Sequence, residues 1–317
     1  MDMSRFRERV ARRHLVLVAL AVLVALAGCA GGTSGDGTET GTPTNTTTPG
    51  ETPADNGPSL PTEASIDNFS AGEGLDGELT PAEDLSVTAD GVATDTLAAT
   101  EAVDSYQLTG NSTLTTRTNN VNQVQDIYRV TNVDRVRQAL SVNSTISARG
   151  QTQVQELYYL NGTVYQYSPA LVPRYGSEWI KQDVSENFTE VFNQSDRLTL
   201  FKRTIENGTV SLQGAQQIDG ERTYRLRVEA ENEAAANILG IGDTNESDAA
   251  TVTTFWVDAN DSTIVRAEGA VEVVTTLQGQ RAVLSGTFTE SLTYGGVEVT
   301  LPEAASTAVN VNASSAS

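Results

Sequence analysis

The chain has 317 residues and carries 41 Asp and Glu against 20 Lys and Arg, a formal net charge of −21. Its single histidine, His14, and single cysteine, Cys29, both lie in what reads as an export signal. An exported domain without them has no Ser-His-Asp triad, no Cys-His pair, no His/Cys zinc site and no intrachain disulfide. The acidic excess also argues against nucleic acid as a partner, because nucleic-acid binding depends on Lys and Arg neutralising phosphates.

Residues 1–28 are predicted to be a lipoprotein signal peptide. Five arginines lie in the first 14 residues, and the apolar run Leu15–Ala27 follows. A helix of about 13 residues rises only about 20 Å, which is too short for a hydrocarbon core of about 30 Å. The sequence Leu26-Ala27-Gly28-Cys29 resembles a lipobox, in which the lipid is attached to Cys29 before cleavage. The alternative is a short membrane anchor followed by an unrelated cysteine.

The basic segment also predicts an export route. Arg12 and Arg13 precede Leu15 and Val16, much as the paired arginines of a twin-arginine signal precede an apolar pair. That route exports folded proteins, and the alternative is a generic basic segment used by the general secretion channel. We expect the protein on the extracellular face of the cytoplasmic membrane, anchored by a lipid on Cys29.

The charge balance after the signal indicates a salt-loving host. Only two lysines are present, Lys181 and Lys202, and no Lys or Arg lies between His14 and Arg117. Such a surface repels itself at ordinary salt, but molar salt shortens the Debye length to about 3 Å. An acidic excess with few lysines is typical of halophilic surface proteins, so we expect a haloarchaeal origin.

Residues 29–89 are predicted to be a lipidated cysteine followed by a disordered stalk. Residues 33–64 consist mainly of Thr, Pro, Gly and acidic residues, and cannot bury enough apolar surface to offset the entropy of ordering. Thr with Pro suggests O-glycosylation. N-x-S/T sequons recur along the chain, and those at Asn161 and Asn207 fall in predicted turns, so these two are the most accessible glycosylation candidates.

Residues 90–302 are predicted to form one β domain. A helix is expected over 92–105, and most of the remainder alternates between apolar and polar residues, as antiparallel strands do. Asn161-Gly162 and Asp219-Gly220 each join two such segments and supply the two positive-φ residues of a type I′ turn, so each predicts a hairpin.

Further elements are expected towards the C-terminus. Short helices are predicted over 185–205 and 231–239, and Val297–Val299 is predicted to be a last edge strand. The small polar residues 303–317 are predicted to be a disordered tail.

The order of these elements resembles the LolA-like lipoprotein carriers and the LppX-like mycobacterial glycolipid carriers. The resemblance is carried by the hairpin YYLNGTVYQY at 158–167, by a Trp strand at Glu178–Lys181, and by Phe255–Asp258 followed by a turn and Ile264–Ala267. It is closer to an uncharacterised family of haloarchaeal lipoproteins, in which GV-x-(T/D) and SY recur, here at Gly91 and Ser105. It covers roughly residues 90–302.

This resemblance implies an α+β fold, mainly antiparallel β: a strongly curved, unclosed β-barrel (LolA-like) with a few helices at the mouth. Members with known roles hold acyl chains in the concavity. Every second residue of a strand faces that hollow, and ordinary core packing is the alternative explanation for each candidate. The candidate ligand-facing residues are Leu108, Ile127, Tyr158, Tyr167, Trp179 and Trp256, with Leu114, Tyr165, Leu226 and Phe288 as further candidates.

Catalytic residues, cofactors and metals are not expected. Asp258-x-Asn260-x-Ser262 places oxygens at alternate positions, but it lacks the Gly and Glu of a calcium loop, and an Asx turn is expected instead. Two functions remain. The first is a lipid-anchored, non-enzymatic surface protein that binds an apolar ligand or lipid in the concave sheet. The second is a structural or interaction glycoprotein of the envelope with a packed core and no ligand.

Replacing Cys29 with Ser should release the protein into the medium, because the serine hydroxyl cannot carry the thioether-linked lipid. Immunoblots of membrane and medium fractions would measure this, with the wild type in the membrane fraction. Retention of the variant in the membrane would contradict the anchor.

Overall fold

In the computed structural model, residues 66, 69–73, 75, 78–118, 122–231, 235, 248–277 and 280–311 are described. The predicted signal peptide with Arg12 and Arg13, the lipidation site Cys29 and the predicted stalk up to residue 65 lie outside these residues. The helix predicted over 231–239 lies almost wholly outside them as well.

Within the described residues, thirteen strands form one curved, unclosed sheet. They are β1 (Thr80–Pro81), β2 (Ser105–Arg117), β3 (Asn122–Asp134), β4 (Ala139–Ala148), β5 (Gln151–Leu160), β6 (Thr163–Tyr167), β7 (Trp179–Asp183), β8 (Thr209–Ile218), β9 (Glu221–Glu231), β10 (Asp248–Asp258), β11 (Ile264–Leu277), β12 (Gln280–Tyr294) and β13 (Val309–Asn310). The described α-helices are α1 (Ala89–Ala102), α2 (Val172–Tyr175), α3 (Phe188–Ser195) and α4 (Arg197–Asn207). The prediction of a mainly antiparallel α+β fold is confirmed.

The sheet consists of two meanders. Strands β2 to β7 pair in sequence order, and so do β8 to β12, with α3 and α4 lying between the two meanders in the chain. Pairing of β12 with β2 joins them into one sheet. The order is therefore β1-β8-β9-β10-β11-β12-β2-β3-β4-β5-β6-β7-β13, and it ends in two-residue strands on both sides.

Turn chemistry explains the hairpins. Asn161 and Gly162 have φ values of 50° and 76°, and Asp219 and Gly220 have 53° and 87°, so both predicted hairpins are confirmed. A third turn of the same kind joins β4 to β5 at Arg149-Gly150, with φ values of 52° and 75°.

Strand register divides the side chains between two faces, because directly opposed residues of an antiparallel pair point to the same side. We call one side the inner face. One row of opposed inner-face residues is Leu108, Thr131, Val142, Leu157, Gln166 and Ile180, and another is Gly110, Glu290, Ala267, Phe255 and Leu226. The alternate residues form the outer face.

Two glycines on the inner face lie where a side chain would not fit. A Cβ added at Gly110 would lie 3.0 Å from the carbonyl oxygen of Thr289, and one added at Gly269 would lie 2.9 Å from that of Val252. The side chains of Glu290 and Phe288 come closer still, so only glycine leaves room at these two positions.

Helices cover part of this inner face. Helix α4 contacts β9 and α1, and α1 also contacts β8 and β9. The side chains of Leu198, Phe201 and Ile205 are buried, and the Phe201 ring meets the Phe255 ring edge-on at 5.1 Å. This end of the inner face is packed solid.

Both ends of the domain differ from the predicted boundaries. Thr80–Pro81 pairs with β8, inside the predicted stalk, and Val309–Asn310 pairs in parallel with β7, inside the predicted tail. Val297–Val299, predicted to be a strand, is irregular instead. The first and last strands of the described residues thus lie at the two edges of the sheet, where short strands limit pairing with other molecules.

The C-terminal segment also covers an aromatic cluster on the outer face. Ala305 and Ala308 pack with Trp179, whose side chain is only 7% exposed, and Leu301 joins them. The rings of Tyr158 and Tyr167 lie 6.0 Å and 5.2 Å from that of Trp179. This cluster ties the last described residues to the edge of the sheet.

Deleting residues 301–317 should expose Trp179. In a Trp256→Phe background, its fluorescence emission should shift to longer wavelength, and the free energy of unfolding should fall by about 2 kcal/mol as apolar burial is lost. Deleting only 312–317 in the same background is the control and should change neither quantity. Unchanged emission from the longer deletion would show that the segment does not cover Trp179.

Candidate functional site

The inner face is only half covered by the helices. Its apolar residues on β9 to β12 are buried, including Leu226, Phe255 and Val271. On β2 to β6 the inner face is mixed: Leu108, Val133 and Leu140 are buried as well, but a second set of apolar side chains is only half-buried. We call this region the open half, and its half-buried apolar residues are Leu114, Ile127, Val142, Leu157 and Val164.

A polar row crosses the inner face between the apolar residues. Glu290, Gly110, Arg129, Ser144 and Gln155 lie directly opposite one another on five adjacent strands. Leu114 and Ile127 lie on one side of this row, and Val142, Leu157 and Val164 lie on the other. The open half therefore consists of two apolar patches separated by polar groups.

Further amides lie beside these patches. Gln125 and Gln166 are buried on the inner face, and the Gln153 Nε2 group donates a hydrogen bond to Ser168 Oγ at 2.8 Å. Such a lining is mixed in character rather than purely apolar. It suits a ligand with both apolar and polar parts.

Three charged side chains occupy the centre of the inner face. Arg197 Nε lies 2.7 Å from Glu290 Oε2, and these two side chains are 8% and 6% exposed. The Arg197 guanidinium also stacks over the rings of Phe201 and Phe288, at 5.0 Å and 4.9 Å. Burial lowers the pKa of Arg129, and the attraction of Glu290 opposes that shift. Two cations thus share one carboxylate.

A second buried network fixes the start of α4. The Tyr106 hydroxyl donates to Asp196 Oδ1 at 2.6 Å and accepts from the Leu198 amide at 3.2 Å. Arg135 Nε lies 3.0 Å from Asp196 Oδ2. Burial and the nearby Asp196 charge raise the pKa of Tyr106 well above its usual range, so the hydroxyl stays protonated. These contacts attach the helix to β2.

The outer face carries a groove of about 420 Å³ of a different character. Its side chains are mainly hydroxyls and amides from β2, β3, β4 and β12, including Asn111, Thr113, Thr145 and Thr287, together with Asp126. The Thr113 hydroxyl donates to Asp126 Oδ1 at 2.8 Å. An apolar ligand would gain little there.

The predicted ligand-facing residues are divided between the two faces. Leu108 and Ile127 are on the inner face, but Leu108 is fully buried. Tyr158, Tyr167 and Trp179 are on the outer face, in the cluster under the C-terminal segment. The prediction that one hollow holds all of them is wrong. Among the further candidates, Leu114, Leu226 and Phe288 are inner and Tyr165 is outer.

Trp256 is also on the outer face, and the other end of the domain covers it. The Arg225 and Arg266 guanidinium groups lie over its ring, at 5.6 Å and 5.9 Å. Gly72 approaches the ring, and its amide donates to Glu268 Oε2 at 2.7 Å. Trp256 is inaccessible to a ligand because its neighbours cover it completely.

Sequence reasoning missed Arg129 and Glu290, although a signal was present. Arg129 lies two residues after Ile127, so both share a face of β3, and Glu290 has the same relation to Phe288. Only the apolar residues of these strands were predicted to face the hollow, although the charged residues of the same parity share that face. No sequence pattern places Arg197 beside them.

The structure also bears on the two sequons, on the turn at Asp258 and on membrane-spanning helices. Asn161 and Asn207 are exposed, and glycosylation of either stays a prediction. Asp258 Oδ1 accepts hydrogen bonds from the amides of Asn260 and Asp261, as an Asx turn requires. Among the described residues, no helix has both the length and the apolar character needed to cross a bilayer.

Comparison with solved structures finds distant likenesses. The chain is similar to the lipoprotein LppX of Mycobacterium tuberculosis, at 15% identity over 66% of this chain and 96% of that one, with a TM-score of 0.36. It is similar to LprF of Mycobacterium bovis, at 15% identity over 71% and 99%, with a TM-score of 0.39. An uncharacterised conserved protein from Thermus thermophilus shares 10% identity over 69% and 98%, with a TM-score of 0.30.

No protein-family model matches the chain, and no curated protein matches it. At such low identities and TM-scores, the function has to be argued from this chain's own residues.

Glu290→Gln should destabilise the fold strongly. It leaves Arg197 buried without its counter-charge, which typically costs about 3–5 kcal/mol. Glu272→Gln is the control on the outer face of β11. Burial raises the pKa of Glu272 in the folded state, so its ionised form disfavours folding at neutral pH, and this variant should be neutral or slightly stabilising. Urea unfolding measures both variants, and equal stabilities would contradict a structural role for the Arg197–Glu290 pair.

Proposed function

We propose that this protein is a lipid-anchored cell-surface lipoprotein that binds an apolar ligand or lipid on the open half of its inner face, without catalysing a reaction. The observation that carries the proposal is the half-buried apolar side chains on β2 to β6, on a face whose other half is closed by helices. Apolar surface of this kind on the concave side of a rigid sheet is where a ligand gains most from burial.

The energetic argument favours an alkyl chain. Each methylene group removed from water contributes about 0.8 kcal/mol, so a chain of several carbons offsets the cost of association. Leu157 and Val142 lie directly opposite each other on β5 and β4, and Val164 lies on the neighbouring β6. This patch offers a surface on which such a chain could lie.

The anchor and the export route are part of the same proposal. A lipid on Cys29, an exported domain and a high-salt environment are supported by the lipobox-like sequence, the arginine-rich N-terminus and the net charge of −21. An inert scaffold is supported by the exported chain's having no histidine and no cysteine beyond residue 29.

A structural or interaction glycoprotein of the envelope is the alternative. It is favoured by the solid packing of Leu198, Phe201 and Ile205 against the sheet, because a domain without a ligand fills its hollow with helix side chains. The exposed sequon residues Asn111 and Asn143 on the outer face fit a glycosylated exterior. The two functions differ in whether the open half is occupied.

Leu157→Trp should abolish ligand binding by filling the open half. Val154→Trp is the matched control, because Val154 lies three residues away on β5, on the outer face, and is already 40% exposed. Native mass spectrometry after mild extraction in high salt should show a co-purifying lipid on the wild type and on Val154→Trp, but not on Leu157→Trp. A bare mass for the wild type would favour the structural alternative.

A further inference from the structure

We propose that the ligand is an anionic amphiphile whose acidic group pairs with Arg129 while its alkyl chain lies along the open half. This inference rests on the proposed function and adds the chemical class of the ligand. It is carried by the position of Arg129 in the polar row, between the two apolar patches.

Arg129 is available to a ligand in a way that Arg197 is not. Arg197 is paired with Glu290 and covered by two rings. Arg129 is half-buried, and among the described residues its guanidinium has neither an ion-pair partner nor a hydrogen-bond partner. Its five N–H donors therefore lack acceptors on the protein side.

The neighbours of Arg129 leave space for an acceptor. The residues directly opposite it are Gly110 on β2 and Ser144 on β4, both of which are small. The Glu290 side chain lies over Gly110, where an added Cβ would come within 2.7 Å of its Cγ. Glu290 is in turn held by Arg197, so its single negative charge faces two cations and a net positive charge remains.

The local excess of positive charge around Arg129 contrasts with the negative charge of the whole chain. In a protein of net charge −21, the centre of the inner face carries two cations and one anion. An uncompensated charge in a low-dielectric site is costly unless a counter-charge is supplied. A phosphate, sulfate or carboxylate group on the ligand would supply it through paired hydrogen bonds.

A lipid source fits better than a free anion, because apolar side chains flank the cation on both sides. Ile127 is two residues before Arg129 on the same strand, and Val142 is two residues before Ser144 on β4. A small inorganic anion would leave both patches in water. An amphiphile would cover at least one of them while its head pairs with Arg129.

Calorimetric titration in molar KCl tests this with three probes: decyl phosphate, 1-decanol and inorganic phosphate, the amphiphiles kept below micellar concentrations. Decyl phosphate should bind at least about tenfold more tightly than decanol, because charge-assisted hydrogen bonds contribute to its binding alone. The preference should survive high salt, which screens exposed charges within about 3 Å but enclosed pairs much less. Inorganic phosphate alone should bind weakly.

Arg129→Met should remove this preference. Decyl phosphate should lose about tenfold in affinity, while decanol should be unaffected because the methionine keeps the site apolar. Arg117→Met, at an exposed outer-face position on β2, is the control and should change neither affinity. Equal affinities for decyl phosphate and decanol in the wild type would overturn the inference but leave the proposed function standing, whereas binding of neither would contradict the proposed function itself.

A second variant keeps the inference testable should Arg129→Met fail to fold. Ser144→Asp places a carboxylate directly opposite Arg129 and should compete with the ligand head. It should weaken decyl phosphate binding and spare decanol. An unchanged affinity for decyl phosphate would show that Arg129 does not hold the head, and tight binding of inorganic phosphate to the wild type would show that a free anion is the ligand.

Discussion

The attachment of α4 to the sheet determines which part of the inner face is filled and which stays open. Asp196 accepts from Tyr106 and pairs with Arg135, while the next residue, Arg197, pairs with Glu290. Two consecutive residues thus link the helix start to β2 and β12 through charged groups whose burial leaves few alternative arrangements. Breaking either contact would leave a buried charged group without that partner. Because α4 is fixed at β9 and β12, it cannot slide over β3 to β6, and Ile127, Val142, Leu157 and Val164 there remain half-buried.

The outer face is organised by the segments that flank the main strands rather than by the helices. One end crosses Trp256 near Gly72 and pairs Thr80–Pro81 with β8, and the other covers Trp179 and pairs Val309–Asn310 with β7. Each of these two segments therefore covers a tryptophan and also pairs with part of an edge strand. A sheet of this length would otherwise present two long rows of free backbone donors and acceptors, which promote aggregation. Both tryptophan side chains are buried beneath these segments.

Much of the fold was predictable because the local chemistry is decisive. Asn161-Gly162 and Asp219-Gly220 leave little alternative to tight hairpins, and the long alternating segments predict an antiparallel sheet. Which residues of each strand face inward was less predictable. In the β5–β6 hairpin both parities are apolar, since Leu157 and Val164 face inward while Tyr158 and Tyr165 face outward, and the larger aromatic side chains suggested the wrong face. Helix α1 begins three residues earlier than predicted, because the Thr88 hydroxyl caps it by accepting a hydrogen bond from the Gly91 amide at 3.1 Å.

The charged centre of the inner face could be anticipated only from pairing, because no single strand contains it. Arg129, Glu290 and Arg197 come from β3, β12 and α4, and they meet only once β12 joins β2. In a chain with 41 acidic residues, a single glutamate does not indicate a site. Two arginines that meet at the inner face stand out more, because the chain has few basic residues. Glu290 can neutralise one of them, and the small residues Gly110 and Ser144 keep the other accessible. A purely structural core would gain stability by replacing Arg129 with an apolar residue, since burying an unpaired cation opposes folding. Its presence on a face otherwise suited to alkyl chains is therefore better explained by a ligand that brings its own negative charge.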